Sequence, residues 1–420
     1  MQYGCIGEHL KHSFSAEIHH ALGDYPYEIC EVPANELDAF LTQRRFRGIN
    51  VTIPYKEKVI PHLYWISEQA KAIGAVNTVV NREGRLYGYN TDFYGMSALI
   101  RRLGLSLEGK KVAVLGSGGT SRTALAVARS MGADPVLCVS RRETKTTISY
   151  EQLYEEHTDL QIVINTTPCG MYPYPDGTET MAAAAVDVSR FPALEGVVDA
   201  VYNPLRSQLV LDARARGIPA EGGLFMLVAQ AVRASEIFLD VTYPGKIAER
   251  IYRRLLRQKE NLVLTGMPGC GKSTVGALLA RQLELELFDL DAAIVKDAGR
   301  TIPEIFDAEG EEGFRARETR VLKEQATQRN GLLIATGGGA ILKDENINAL
   351  RRNGRIYFLD RPLEELLPTE DRPLASSAEA IQKRYEERYH RYCSTADCRV
   401  AVTGTPEEVA LAIERDWSQL

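Results

Sequence analysis

Two glycine-rich turns in this chain have the residue types that hold phosphate groups. Residues 112–122 read VAVLGSGGTSR and residues 261–274 read NLVLTGMPGCGKST, and in both the glycines follow an apolar stretch. The second turn matches GxxxxGK[ST], in which backbone N–H groups and the lysine bind phosphates and the hydroxyl binds Mg²⁺. The first turn departs from GxGxxG, so both a dinucleotide-binding loop and a plain glycine turn fit it. We therefore predict a triphosphate site at the second turn and a candidate dinucleotide site at the first.

Basic residues after the next apolar stretch indicate which dinucleotide the first turn would bind. Residues 135–139 are followed by Ser140, Arg141 and Arg142. At this point NAD-binding folds usually carry an acidic residue for the ribose hydroxyls, whereas arginines suit the 2′-phosphate of NADP. The pattern favours NADP, and the alternative is a solvated basic surface.

Four short polar segments precede the first turn, each just past an apolar stretch, where an α/β sheet presents binding groups. Their hydroxyls, amides, lysine and aspartate suit a polyhydroxylated ring, although each alone could form a cap or a turn, as Ser13 could for a helix. Lys56 could stabilise or protonate the oxygen of a ketone that accepts a hydride, with Asp92 orienting it. The alternative for this pair is a surface salt bridge of little energetic value. The segments are HSFS at 12–15, NVTIPYK at 50–56, GAVNT at 74–78 and YNTD at 89–92.

These segments resemble the SxS, NVTxPxK, GAxNT and NTD motifs of the shikimate dehydrogenase family, and the resemblance covers nearly all of residues 1–258. It implies a two-lobed α/β module in which Lys56 and Asp92 form the catalytic pair. The lobes would be a substrate-binding lobe of residues 1–92 plus about 223–258, and a Rossmann-like NADP-binding lobe of residues 93–222. Three features depart from the family pattern: Ser140-Arg141-Arg142 stands for Asn-Arg-Thr, Lys145 for an arginine, and Phe93 for a glycine.

The same resemblance implies two sets of ligand-binding residues in this module. Residues 223–230 (GLFMLVAQ) resemble the family's closing helix, whose glutamine contacts substrate. The shikimate-binding set is Ser13, Ser15, Thr52, Lys56, Asn77, Asp92, Tyr202 and Gln230. The NADP-binding set is Gly116, Ser117, Gly118, Gly119, Thr120, Ser121, Ser140, Arg141, Arg142, Lys145, Thr166 and Gly223.

Carboxylates, glycines and arginines that follow the second turn could hold the acceptor of a phosphoryl group. Asp289 and Asp291 lie two residues apart on a predicted extended segment, and Gly337–Gly339 at a strand end would let a ligand approach the backbone closely. Arg315 and Arg388 could clamp a carboxylate in bidentate fashion, although each alone would more often be a solvated helix residue.

This constellation resembles the shikimate kinase family over roughly residues 259–420. The resemblance implies a P-loop α/β domain with a parallel sheet, in which Asp291 orients or deprotonates the acceptor hydroxyl. Lys272, Mg²⁺ and the lid arginine, Arg372, would stabilise charge on the transferring group. No residue matches the family's adenine-side arginine, residues 360–372 are shorter than in many members, and His390 replaces a proline. The ATP-binding set is Gly266, Met267, Pro268, Gly269, Cys270, Gly271, Lys272, Ser273 and Thr274, the shikimate-binding set is Asp291, Arg315, Gly337, Gly338, Gly339 and Arg388, and the Mg²⁺ set is Ser273 and Asp289.

Composition and periodicity predict a soluble α/β protein of two or three domains. The 420 residues carry a net charge of −6 and contain no apolar stretch of membrane-spanning length, so neither nucleic acid nor membrane is an expected partner. Seven cysteines without CxxC spacing, and a start without a signal pattern, favour the cytoplasm. An amphipathic helix at 243–259 places the boundary between modules near Gln258. The predicted strands, which alternate with helices as in parallel sheets, are Tyr3–Ile6, Tyr27–Val32, Gly48–Val51, Lys111–Leu115, Pro135–Val139, Ile162–Asn165, Val197–Ala200, Asn261–Leu264, Leu332–Thr336 and Ile356–Leu359.

We therefore predict an enzyme that reduces 3-dehydroshikimate to shikimate with NADPH and then phosphorylates shikimate with ATP and Mg²⁺. Its expected partners are these small molecules, and its oligomeric state is left open. Two alternatives remain: a regulatory protein that senses quinate or shikimate and is built from decayed pathway domains, and a dehydrogenase that prefers quinate. Retention of Lys56, Asp92, Lys272 and Asp291 argues against decay.

Overall fold

The computed structural model divides into two compact units, Met1–Leu255 and Leu256–Leu420. It describes residues 1–8, 10, 13–172, 183–366 and 377–419. The division falls within a helix, Ile247–Lys259, that also contains Gln258, where the sequence places the module boundary. Both units are α/β, and none of the helices described in them combines the length and the apolar character needed to cross a membrane.

The first unit contains two sheets. Its strands are β1 (Tyr3–Gly7), β2 (Tyr27–Glu31), β3 (Gly48–Val51), β4 (Trp65–Ile66), β5 (Thr78–Arg82), β6 (Arg85–Tyr89), β7 (Val112–Leu115), β8 (Val136–Val139), β9 (Ile162–Asn165), β10 (Gly196–Asp199) and β11 (Ala220–Glu221). Its helices are α1 (Ser15–Leu22), α2 (Leu37–Gln43), α3 (Glu68–Ile73), α4 (Thr91–Arg102), α5 (Gly119–Ser130), α6 (Tyr150–Glu156), α7 (Gln208–Ala215), α8 (Leu224–Leu239) and α9 (Ile247–Lys259).

The first sheet is mixed, with strand order β2-β1-β3-β5-β6-β4. The sequence predicts β1, β2 and β3, but the expectation of purely parallel pairing is wrong here because β5 runs antiparallel to both β3 and β6. Between β5 and β6 the chain turns at Glu83 (φ 52°) and Gly84 (φ 80°), the backbone that a two-residue hairpin requires. This hairpin was missed since its residues lack the alternation of a half-buried strand.

The second sheet, of order β11-β10-β9-β7-β8, is parallel throughout, as predicted. Strands β7, β9 and β10 are fully buried and are covered by helices, which is why their sequences are continuous apolar runs. The carboxyl ends of β7 and β9 therefore lie side by side, and the first glycine turn leaves the sheet at this edge. Such an edge is the usual ligand-binding position of a Rossmann-like sheet.

Helix α8 joins the end of the second sheet to the first. Its residues from Leu224 to Ala229 are all buried, and it packs against α4 so closely that a Cβ at Gly95 would lie 2.6 Å from the carbonyl oxygen of Met226. Because α4 begins with Thr91 and Asp92, this packing sets the position of Asp92. Cap geometry helps, since the Asn90 side chain accepts a hydrogen bond from the Phe93 amide.

The second unit has one parallel sheet of order β13-β14-β12-β15-β16, with the P-loop strand at its centre. This agrees with the predicted P-loop α/β domain. The helix α12 is interrupted by non-helical backbone at Gly310 (φ 71°). The strands are β12 (Asn261–Thr265), β13 (Glu286–Asp289), β14 (Leu332–Ala335), β15 (Gly354–Asp360) and β16 (Cys398–Ala401), and the helices are α10 (Lys272–Gln282), α11 (Leu290–Ala298), α12 (Ile302–Gln328), α13 (Asp344–Asn353), α14 (Ala378–Thr395) and α15 (Pro406–Ser418).

A buried carboxyl group ties together the carboxyl ends of β9 and β10. Asp199 is fully buried and accepts hydrogen bonds from Asn165 Nδ2 (2.9 Å), the Val201 amide (2.9 Å) and Ser207 Oγ (2.5 Å). Asn165 in turn accepts from the amide and hydroxyl of Thr167. Burial raises the pKa of Asp199 to about 6, because the ionised form loses its hydration and the three donors offset only part of that loss.

This raised pKa gives a testable pH dependence. Because the folded-state pKa exceeds the unfolded value, the folded protein binds a proton that the unfolded chain has released. The resulting stabilisation is complete below about pH 4 and is lost as the pH rises through 6, on the order of 2–3 kcal/mol in all. We expect Asp199→Asn to remove this contribution. The free energy of unfolding of the first unit, measured with urea, should then fall less between pH 4.5 and 7 in the variant than in the wild type.

Asp187→Asn provides a control of opposite sign. Hydrogen bonds from Ser189 lower the pKa of Asp187, so its contribution is lost as the pH falls. Equal pH slopes for the wild type and Asp199→Asn would contradict a raised pKa for the buried Asp199 carboxyl group.

Two candidate active sites

The first site is centred on the ion pair that the sequence predicts. Lys56 Nζ lies 2.5 Å from Asp92 Oδ2, and only 13% and 4% of the two side chains are exposed. Lys56 follows β3, whereas Asp92 is in the first turn of α4, so tertiary packing brings them together across 36 positions. A pair this shielded does not match the surface salt bridge considered as the alternative, because a surface pair is solvated on both sides.

Asn77 determines the orientation of the aspartate. Its Oδ1 accepts hydrogen bonds from the Thr91 amide (2.7 Å) and from Thr78 Oγ1 (3.1 Å). Since the backbone amide can only donate, the other end of the Asn77 side chain must be Nδ2, which donates to Asp92 Oδ1 (2.8 Å) and to Gln230 Oε1 (3.1 Å). Both oxygens of Asp92 thus accept hydrogen bonds, so the carboxylate is held from two sides.

Sequence reasoning missed the residues that support this arrangement. Asn50 accepts a hydrogen bond from Tyr27 Oη (2.7 Å) and donates to Thr78 Oγ1 (3.1 Å), which continues the network to Asn77. The Cys5 thiol is buried close enough to Lys56 and Asp92 for their charges to act on it, although burial dominates and raises its pKa to about 12. Asn50 could have been found because it lies inside the NVTIPYK segment, whereas nothing in the sequence marks Cys5.

The two serines and Tyr202 lie around the start of α1. Ser13 Oγ donates to Ser15 Oγ (3.0 Å) and accepts from the Ser15 amide (3.3 Å), while Phe14 occupies the N-cap position that Ser13 was a candidate for. The Phe14 ring contacts the Tyr202 ring at a centroid distance of 5.4 Å. Burial raises the pKa of Tyr202 to about 12, which keeps its phenol protonated and able to donate. Thr52 is half-buried, and its amide donates to the Ile6 carbonyl.

The first glycine turn lies beside the Lys56–Asp92 pair. A Cβ at Gly119 would lie 3.7 Å from Lys56 Cδ, so the lysine stem lies beside the turn with room for about one small group between them. A Cβ at Gly116 would lie 2.8 Å from Thr166 Oγ1, which explains the need for glycine where β7 meets the end of β9. Helix α5 starts at Gly119 without a side-chain cap, so its first amides are available to a phosphate group.

The other predicted cofactor residues follow the edge of the second sheet. Ser121 Oγ and Thr166 Oγ1 are 2.9 Å apart, and Gly223 is fixed by its amide, which donates to the Val201 carbonyl (2.7 Å). Ser117 and Thr120 complete the turn. The segment that follows β8, the neighbour of β7, begins with the half-buried Ser140. Its exposed cations are Arg141, Arg142 and Lys145. Exposed cations beside a dinucleotide turn fit a 2′-phosphate.

The second site begins at the P-loop. Lys272 is the first residue of α10 and is buried, and its Nζ donates to the carbonyls of Gly266 (2.8 Å) and Met267 (2.9 Å). Gly271 has φ 101°, a left-handed conformation that a side chain would strain, so the turn before the lysine requires glycine. The loop is completed by Pro268, Gly269, Cys270, Ser273 and Thr274.

Two oxygen donors beside the P-loop fit Mg²⁺. Ser273 Oγ lies 3.4 Å from Asp289 Oδ2, and the other carboxylate oxygen of Asp289 caps α11 by accepting from the Ala292 amide (3.0 Å). Mg²⁺ prefers hard oxygen ligands and usually combines one or two protein groups with phosphates and water. The hydroxyl and the carboxylate therefore have the chemistry that this ion needs.

The glycine triplet is where the acceptor-binding residues converge. A Cβ at Gly337 would lie 2.7 Å from Asp291 Oδ1, and a Cβ at Gly339 would lie 2.3 Å from the Arg315 guanidinium. Arg388 Nη1 donates to the Gly338 carbonyl (3.1 Å). Residues that are distant in the chain thus line one surface, and glycine is required at both ends because side chains already fill the space.

Glu318 belongs to this site and was missed by sequence reasoning. It is 1% exposed, its Oε2 lies 2.7 Å from Arg315 Nη1, and its Oε1 has no hydrogen-bond partner among the described residues. Burial raises its pKa, and the charge of Arg315 opposes this rise. The i,i+3 spacing from Arg315 on a helix is the signal that could have found it. The predicted lid arginine, Arg372, lies outside the described residues.

Comparisons with known proteins match both units. The family model of the shikimate dehydrogenase substrate binding domain matches residues 5–79, and that of shikimate kinase matches residues 268–417. A shikimate dehydrogenase (NADP(+)) from Clostridium perfringens (strain SM101 / Type A) is 39% identical over 271 residues, which covers 60% of this chain and 97% of that protein.

Solved structures of the same kind cover the first unit. Shikimate dehydrogenase 1 from Peptoclostridium difficile has a TM-score of 0.55 and 34% identity, covering 61% of this chain and 98% of that chain. The shikimate 5-dehydrogenase of Thermus thermophilus, solved with NADP(H) and shikimate, has a TM-score of 0.53 and 30% identity over 60% of this chain and 99% of that chain. The chain therefore belongs to the shikimate dehydrogenase family through its first unit, and its second unit carries a shikimate kinase domain.

Proposed function

We propose that this chain is a bifunctional enzyme that reduces 3-dehydroshikimate to shikimate with NADPH and then phosphorylates the 3-hydroxyl of shikimate with ATP. The position of the first glycine turn beside the shielded Lys56–Asp92 pair carries the first activity, because it puts a dinucleotide site next to a proton donor. The convergence of Asp291, Arg315 and Arg388 on the glycine triplet beside a P-loop supports the second. The family matches in both units agree with this assignment.

In the first reaction the protein must stabilise the oxygen of a ketone that becomes an alcohol. NADPH supplies the hydride when bound. Lys56 would donate a proton to the carbonyl oxygen, or stabilise its charge, while Asp92 holds the ammonium group in place. Asn77 donates to the other oxygen of Asp92 and also to Gln230, so the acceptor of the lysine ammonium group is itself held in place. Ser13, Ser15, Thr52 and Tyr202 would bind the ring hydroxyls and the carboxylate.

The residues proposed to bind NADPH divide between the glycine turn and the basic segment. The α5 N-terminus and residues 116–121 would hold the pyrophosphate, since uncapped amides attract anions. Arg141, Arg142 and Lys145 would bind the 2′-phosphate, with Ser140 as a hydroxyl donor. Thr166 and Gly223, at the sheet edge and at the start of α8, complete the proposed site.

In the second reaction a hydroxyl of the ring attacks the terminal phosphate of ATP. Asp291 would orient this hydroxyl or accept its proton, and Arg315 and Arg388 would hold the carboxylate on the other side of the ring. Lys272 would leave the Gly266 and Met267 carbonyls to bind the phosphates. Mg²⁺, held through Ser273 and Asp289, supplies positive charge to the same phosphates when bound. Arg372 would stabilise charge on the transferring phosphoryl group, a role that rests on the family pattern alone.

The proposed enzyme acts on small molecules, and its proposed function involves neither nucleic acid nor a membrane. All seven cysteines are free thiols, which suits the cytoplasmic location that we also propose. A sensor built from decayed domains would not need both a shielded lysine–aspartate pair and a complete P-loop. Turnover of shikimate and quinate with NADP⁺ distinguishes the remaining alternative, a first site that prefers quinate.

A coupled assay of the full-length protein tests the proposal. With 3-dehydroshikimate, NADPH, ATP and Mg²⁺, we expect NADPH oxidation followed by ADP release, and ADP release should require the first reaction when no shikimate is added. Turnover of shikimate but not quinate with NADP⁺ is expected in the reverse direction. Faster oxidation of quinate, or ligand binding without turnover, would favour one of the two alternatives.

Separate lysine substitutions should separate the two activities. Lys56→Ala is expected to lower the dehydrogenase kcat about 10²–10⁴-fold, the usual contribution of a positioned proton donor, while sparing the kinase. Lys272→Ala should abolish phosphorylation and spare reduction. Lys58→Ala and Arg281→Ala, which alter exposed residues near these lysines in the chain, serve as controls. Loss of both activities in either lysine variant, with unchanged circular dichroism, would contradict two independent sites.

The basic segment predicts the cofactor preference. The double variant Arg141→Ser/Arg142→Ser is expected to raise the KM for NADPH about 10–100-fold and to leave the KM for NADH nearly unchanged, since hydrogen bonds to charged groups contribute about 1.5–3 kcal/mol. Arg129→Ser, an exposed arginine at the end of α5, is the matched control. An unchanged KM for NADPH would instead support a solvated basic surface, and an equal change in the KM for both cofactors would contradict recognition of the 2′-phosphate.

A further inference from the structure

A third arginine lies on the helix face that carries Arg388. The buried positions of α14 include Ile381, Arg388 and Tyr392, which follow a spacing of three to four residues and so form one stripe of the helix. Arg384 lies three residues after Ile381 and four before Arg388, so it belongs to the same stripe. The sequence motifs assign no role to this position.

The Arg384 guanidinium has little to bind within the protein. Its Nη1 donates to the Ala380 carbonyl of its own helix (3.2 Å), and its Nε is buried without a hydrogen-bond partner. No carboxylate pairs with it among the residues that the structure describes. Buried arginine nitrogens are normally paired, because losing water without a new hydrogen bond is unfavourable. The Nε of Arg315, beside the glycine triplet, is likewise buried without a partner, so both guanidinium groups have donors available to an added acceptor.

The charges around Arg388 point to an anionic acceptor. Burial lowers the pKa of Arg388, and the nearby charges of Arg315 and Arg384 lower it further, whereas Glu311 opposes them. Arg315 is already paired with Glu318 (2.7 Å) and with Glu311 (3.5 Å). Among the described residues, Arg384 donates to the Ala380 carbonyl, and Arg388 donates to the Gly338 carbonyl and lies beside the Tyr392 hydroxyl. Arg384 and Arg388 repel each other, Glu311 counteracts this repulsion at Arg388, and an anion bound beside both guanidinium groups would counteract it further.

We propose that Arg384 is a third cation of the carboxylate-binding site, acting with Arg315 and Arg388, and that it sets the selectivity of the kinase for a ring that carries a charged carboxylate. The proposal rests on the kinase activity proposed above and extends it by one substrate-contacting residue. Arginine suits the role because its planar donors can bridge to a carboxylate that neighbouring arginines already hold.

The test is the kinetics of Arg384 variants in the full-length enzyme. Arg384→Ala is expected to raise the KM for shikimate about tenfold, equivalent to about 1.4 kcal/mol, with kcat and the KM for ATP changed less than about twofold. Arg384→Met, which keeps the apolar stem, should show the same loss, and Arg384→Lys should recover part of the affinity. Lys383→Ala, at the exposed neighbouring position, should behave as the wild type.

A neutral substrate separates charge recognition from packing. The methyl ester of shikimate should have the same KM in the wild type and in Arg384→Ala, because it offers no carboxylate charge. Three results would overturn the proposal: an unchanged KM for shikimate in Arg384→Ala, wild-type behaviour of Arg384→Met, or an effect confined to kcat or to the KM for ATP. Failure of the wild type to phosphorylate shikimate would instead contradict the proposed function itself.

Discussion

Both sites depend on charged side chains that are removed from water and still have partners. In the first unit, Lys56 and Asp92 neutralise each other while Asn77 occupies the remaining oxygen of the aspartate. This pairing compensates the two charged groups for the hydration that they lose on burial. The hydrogen-bond chain that reaches Asn77 from Tyr27, through Asn50 and Thr78, stabilises this one contact.

The second unit meets the same requirement differently. Among the described residues, Arg315 is paired with a buried glutamate, whereas Arg388 has the Gly338 carbonyl and the Tyr392 hydroxyl as partners, and Lys272 has mainly P-loop carbonyls. Carbonyl oxygens are weaker partners than carboxylates or phosphates, so these cations can exchange them for ligand atoms. In the first site the charge of the lysine is thus neutralised within the protein, and the group that it acts on is a neutral carbonyl. In the second site, anionic ligands would neutralise the charges of Arg388 and Lys272.

Particular elements show what can be predicted from sequence. The fully buried strands β7, β9 and β12 were found because continuous apolar runs mark parallel strands between helices. The β5–β6 hairpin was missed, since its residues are recognised only through the Glu83–Gly84 turn. Lys272 and Ser273 were readable because phosphate binding requires consecutive residues. Glu318 and Cys5 were not, because their proximity to a site follows from the packing of distant elements.

The sequence by itself determined the chemistry that is available: two phosphate-binding turns, a lysine with an aspartate, and arginines with a glycine triplet. These are local signals, and each turn is set by glycine and hydroxyl positions within about a dozen residues. Only the tertiary structure decided which groups meet. The approach of Lys56 to Gly119 brings together elements of two sheets, and the approach of Arg315 and Arg388 to the triplet joins two helices to one strand end. Burial, hydrogen-bond partners and the counterions of each charge are properties of that packing, which no spacing along the chain encodes.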